Sequence, residues 1–159
     1  MGQQQLLLLV LSTVIVGLAT VAGIQAFSEG QTQATQDALT QRGISIGQDI
    51  AAQLNKPSQL GGISDDSDPA QIAASVGLND QDDEGKGIPA DGAGDSADCD
   101  ITDASSTPFE IICSEGASEN GRGSTNTSDD GQSPQTVTIE ADRDGAEVTT
   151  INGTDIGTL

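Results

Sequence analysis

The chain opens on a run of apolar positions that carries no charge. From Met1 to Ser28 every side chain is neutral, and Leu6 to Phe27 is almost continuously apolar. At about 1.5 Å of rise per helical residue these 22 residues extend roughly 33 Å, enough to cross a hydrocarbon core of about 30 Å. The pattern predicts one membrane-spanning helix. A cleaved secretory signal is the competing reading, with Val21 and Gly23 as its small-residue cleavage pair. Such signals usually place an apolar stretch of about 7–15 residues behind a basic start, whereas this start is uncharged. N-myristoylation at Gly2 is disfavoured because Leu6 stands where the motif has Ser or Thr.

Polarity rises after Ser28, but helical periodicity persists. Leu39, Ile46, Ile50 and Leu54 follow one another at seven, four and four residues, so they return to one side of a helix with Ala34, Ala38 and Gly43 close by. Gln41, Arg42, Gln48, Asp49 and Gln53 lie largely elsewhere. Asn55-Lys56-Pro57 supplies a stop, since a residue before proline is pushed out of helical dihedrals, and Gly61-Gly62 begins a loop. One helix from about residue 3 to about residue 55 is therefore expected, apolar all round in its first half and amphipathic in its second. Gly17, Gly23, Gly30, Gly43 and Gly47 each cost up to about 1 kcal/mol relative to Ala, and local bends or melted turns are expected at them.

Beyond Pro57 the pattern shortens. Pro69 to Leu78 reads as a short helix, with Asp68 as N-cap, Pro69 in the first turn and Gly77 near the end. Asn79 to Asp98 reads as a loop anchored only by Ile88-Pro89, and Glu115 to Pro134 as a second polar loop. Two hairpins lie among these segments. Cys99–Thr102 and Phe109–Cys113 flank the turn material Asp103–Pro108, and symmetry about Ser106 sets Cys99 opposite Cys113 and Ile101 opposite Ile111. That register makes a disulfide plausible, one that would contribute about 3 kcal/mol by restricting the unfolded chain; two buried free thiols are the alternative. Thr136–Ala141 and Glu147–Ile151 form the second hairpin around Arg143-Asp144-Gly145. The expected fold is α+β: a long N-terminal helix packed on a small antiparallel sheet of three or four strands, with acidic loops. It divides into a transmembrane and assembly helix (1–28), an amphipathic continuation (29–56) and an acidic, β-rich extracytoplasmic domain (57–159).

Composition narrows the chemistry. The 159 residues hold 25 acidic and 5 basic side chains, a net charge of −20, with no His, Trp or Tyr. Imidazole-based triads and His-containing metal sites are thereby excluded, and a polyanion repels nucleic acid. No enzyme activity is expected; Asp65-Asp66 and Asp129-Asp130 fall in wet, loop-like segments unsuited to pKa tuning. No cofactor is expected, although Asp80, Asp82 and Glu84, with Gly85 sixth, resemble the opening of a calcium loop. Asp91 stands at the twelfth position where that loop has Glu. Abundant Asp and scarce Lys along the exterior instead suggest a surface adapted to high salt. Asn126 and Asn152 each begin a glycosylation sequon, to which the three-residue pattern alone gives no functional weight.

Small residues mark the apolar helix. Ser12, Ala19, Gly23 and Ala26 form one seam, and Thr13, Gly17 and Thr20 a second strip nearby. Such seams let helices approach closely in lipid, where van der Waals packing replaces the hydrophobic drive; small residues are also simply common in membrane helices.

A Gly near the N-terminus, a charge-free apolar helix that begins almost at once, an amphipathic continuation to about residue 54 and a β-rich remainder together resemble the type IV pilin and pseudopilin superfamily over roughly the first third of the chain. The resemblance implies cleavage after Gly2, a methylated Gln3 at the new N-terminus, and bundling of the apolar helices in a filament core. The leader here is only Met1-Gly2, without basic residues, and the fifth mature position is Leu7 where the family carries an acid that pairs with a neighbour's amine. The expected function is a structural subunit of a pilus-like or pseudopilus-like filament. Its partners would be further pilin-like copies and the lipid bilayer, and it would reach the cell surface from the cytoplasmic membrane. The alternative is a solitary membrane-anchored or secreted acidic domain that binds a ligand or cation.

Overall fold

A computed structural model describes residues 2–78, 87–94, 97–103, 107–115 and 135–156. The chain divides into two compact units, 1–34 and 35–159. Helix α1 (Gly2–Leu54) is continuous through Gly17, Gly23, Gly30, Gly43 and Gly47, so none of the expected melted turns occurs at them. Propagating a formed helix adds a hydrogen bond for each residue fixed, and that gain exceeds the modest propensity loss at an isolated glycine.

In the second unit the described strands form one antiparallel meander, β1 (Ile88–Pro89), β2 (Ala97–Asp103), β3 (Phe109–Glu115), β4 (Thr136–Ala141), β5 (Ala146–Ile151) and β6 (Thr154–Asp155), hydrogen-bonded in that order. The central register is the expected one, with Cys99 opposite Cys113 and Ile101 opposite Ile111. Two edge strands extend the expected sheet. Ile88 and Pro89 pair with Cys99 and Asp98 instead of merely anchoring a loop, and Pro89 is tolerated there because an edge position need not donate inward. The β4–β5 connection uses Asp142–Gly145, where the Asp142 carboxylate accepts from the amides of Asp144 at 2.8 Å and Gly145 at 3.0 Å.

Alternate positions of the central strands supply one apolar face. Cys99, Ile101, Phe109, Ile111, Cys113, Val137, Ile139 and Ala141 are buried, and so is the Leu39, Ile46, Ile50 and Leu54 stripe of α1. Each large aliphatic or aromatic side chain withdrawn from water contributes about 1.5–3 kcal/mol. Helix α2 (Pro69–Ser75) adds Ile72 and Ala73 to this core. Its Asp68 cap accepts from the Ala70 amide at 3.1 Å. At its other end Gly77 adopts φ 73°, and the amides of Gly77 and Leu78 bond back to Ala74 and Ala73, closing the helix in the paired pattern that a left-handed glycine permits.

Gly43 and Gly47 lie on the buried side of α1, where the backbone comes directly against the sheet. A Cβ at Gly43 would collide with Ile139 Cδ1 and stand 3.2 Å from Cys113 Sγ; one at Gly47 would stand 2.6 Å from Ala146 Cβ. Ile139 can swing its terminal methyl, but an alanine methyl has no rotamer to give. Gly47→Ala is therefore expected to lose about 1–3 kcal/mol through overpacking despite its better helix propensity, as read by thermal melting of the purified protein. A rise in midpoint matching the propensity gain of about 1 kcal/mol would contradict this close approach.

Candidate functional site

The candidate site is the apolar span of α1. Thirteen large side chains from Leu6 to Phe27 are exposed, from 51% at Leu11 to 69% at Leu7 and Phe27. The helix is long and apolar enough to cross a membrane, and nothing in its most apolar stretch is buried. Soluble proteins seldom leave contiguous apolar surface of this extent in water, so the segment demands an apolar environment. Gln3, Leu6, Leu7, Val10, Leu11 and Val14 line a shallow apolar groove in its first turns. Gly2 and Gln3, the processing candidates, occupy the exposed start of the helix.

All seven seam residues, Ser12, Thr13, Gly17, Ala19, Thr20, Gly23 and Ala26, are exposed on this helix. A Cβ built at Gly17 or Gly23 meets nothing within 4 Å. The Thr13 and Thr20 hydroxyls donate to the carbonyls of Val10 and Val16, each at 2.8 Å. Those hydroxyl protons are thus satisfied within the helix.

The second unit contributes an inward-facing disulfide and a set of long-range polar links. Cys99 and Cys113 are bonded, with Cα atoms 4.0 Å apart, and both are fully buried. Arg143, in the β4–β5 loop, donates through Nη1 to the Leu54 carbonyl at 2.6 Å and through Nη2 to Asp65 at 2.8 Å. Asn55 Nδ2 returns a hydrogen bond to the Arg143 carbonyl at 2.8 Å. Helix α1 has no basic residue in its last turn, so this guanidinium supplies the positive charge that a helix C-terminus favours. Arg42 donates to the Pro89 carbonyl at 3.1 Å and ties the same helix to edge strand β1. Neither role was visible in the sequence, because each joins residues dozens of positions apart.

A wide cleft of about 600 Å³ beside Arg143 is bordered by Leu54, Lys56, Ile63, Asp65 and Asp66. The Arg143–Asp65 ion pair there is half exposed on both sides. Asp100 is fully buried and accepts from the Gly87 amide at 2.8 Å. Asp98, on the same strand and half-buried, accepts from the Ser114 hydroxyl at 3.4 Å; burial raises its pKa, with the Ser114 hydrogen bond opposing. Among the described residues no group of three or more His, Cys, Asp or Glu is placed to hold a metal ion. The calcium-loop candidates Asp80, Asp82 and Glu84 lie outside the described residues, as does the Asn126 sequon.

No known protein family, curated protein or solved structure matches this chain.

Two outcomes follow from the polar links. Arg143→Ala is expected to lower stability by about 1–2 kcal/mol, since it removes a charge-assisted bond to the helix end. Asp65→Ala should cost less than about 1 kcal/mol, as an exposed ion pair does. Chemical denaturation of the two variants measures the difference. For Asp98, a pKa raised in the folded state means that the folded chain holds this proton to higher pH than the unfolded chain. The stability associated with it is present at acid pH and is lost as pH rises through the window above the ordinary aspartate value. Asp98→Asn should therefore melt higher than the parent at about pH 7, and this advantage should shrink toward about pH 4.

Proposed function

We propose that this protein is a structural subunit of a pilus-like or pseudopilus-like surface filament, anchored in the cytoplasmic membrane and polymerised through the N-terminal helix, with residues 57–159 on the extracytoplasmic side. The observation that carries this reading is the charge-free span with thirteen exposed large apolar side chains and two strips of small residues. A bilayer covers that surface in the monomer and neighbouring copies cover it in a polymer, so one set of side chains serves both states. Helix association in lipid depends on close van der Waals contact, which the Ala19–Gly23 seam favours. With Leu7 in place of an acid, register rests on this packing and not on an amine–carboxylate pair.

Two further features support the placement. The Cys99–Cys113 bond suits an oxidising compartment. The acidic exterior suits concentrated salt, where a Debye length of about 3 Å at 1 M screens the self-repulsion of a −20 chain.

Shearing the surface of cells that produce the protein, then imaging the sheared material and sequencing its N-terminus, tests the proposal. Filaments built of chains that begin at Gln3 are the expected result. Gly23→Phe should reduce filament yield severalfold while leaving the amount of membrane-bound subunit unchanged. A freely soluble monomer that begins near Ile24 would refute the proposal and support the solitary secreted domain.

A further inference from the structure

We propose that Asn152 is an attachment site for an N-linked saccharide. Asn152-Gly153-Thr154 forms the sequon; Asn152 and Gly153 make the tight β5–β6 connection and Thr154 opens edge strand β6, all three exposed. Asn152 adopts φ 51° there, a left-handed turn conformation that Asn accommodates better than most residues. The side chain is held outside the sheet by two hydrogen bonds. Its Oδ1 accepts from the Thr136 amide at 2.9 Å and its Nδ2 donates to Gln135 Oε1 at 2.8 Å. A carboxamide nitrogen carries two hydrogens, so the bond to Gln135 leaves one to be replaced. The linkage formed by glycosylation keeps one N–H and the carbonyl oxygen.

The donor is an oligosaccharide carried on a lipid phosphate or pyrophosphate. The new bond joins Nδ2 to C1 of the first sugar as the bond from C1 to the phosphate oxygen breaks. The lipid phosphate leaves with that electron pair, and the proton released from Nδ2 passes to a base of the transferase. No electrons are transferred. The inference rests on the extracytoplasmic placement proposed above, and the oxidation state of Cys99 and Cys113 reports that placement independently.

Mass spectrometry of the full-length protein taken from its own cell membranes, reading the tryptic peptide that follows Arg143, provides the test. The expected result is a mass increase of whole saccharide units localised to Asn152. Thr154→Ser should retain it, and Thr154→Ala should lose it while leaving the Asn152 contacts and the melting midpoint in place. An unmodified Asn152 in protein with its disulfide intact overturns the proposal alone. An unmodified Asn152 together with free thiols overturns the placement as well. A shift due only to deamidation at Asn152-Gly153, or a saccharide that persists in Thr154→Ala, also overturns it.

Discussion

The contact between residues 39–54 of α1 and the inner face of the sheet is the interaction on which the second unit depends. With two Phe in the whole chain and no Trp or Tyr, the core cannot be filled by large side chains. Gly43 and Gly47 solve the shortage by bringing backbone against the sheet, so that Ile139, Ala141 and Ala146 touch the helix directly. Close approach substitutes for side-chain volume, because dispersion falls off steeply with even a small gap. The stripe from Leu39 to Leu54 fills what remains on either side of that glycine seam.

Much of this was legible along the chain, for reasons of periodicity. Leu39, Ile46, Ile50 and Leu54 announce a helical face by spacing alone, and all four are buried. The Cys99–Cys113 register follows from two short apolar strands placed symmetrically about a polar turn. Asp68 and Pro69 mark a helix start by local chemistry. What escaped the sequence is non-local or contrary to propensity. Gly43 and Gly47 count against a helix until the sheet that needs them is in view. β1 and β6 are two residues long and carry no alternation from which a strand could be read. The seam residues of the apolar span lie on a helix as expected and are exposed there.

The scarcity of cations gives Arg42 and Arg143 unusual weight. Five basic residues face 25 acidic ones, and Arg42 and Arg143 both donate to backbone carbonyls, one at edge strand β1 and one at the end of α1. A carbonyl at a helix end accepts a charged donor well, since its partial negative charge is otherwise met only by water. Near neutrality such links also place positive charge inside a strongly negative field, where it is favourable at long range. At high ionic strength that long-range share fades, while the short bonds themselves persist.

The Cys99–Cys113 bridge has a mechanical consequence. A pull on the two ends of the chain is carried from one sulfur to the other, and the segment between them, a separation of 14 positions, stays out of the tensioned path. Stretched out, that segment would add roughly 46–50 Å. While the bond is intact, a chain pulled at its two ends withholds that length, and its centre yields only as a loop closed by sulfur.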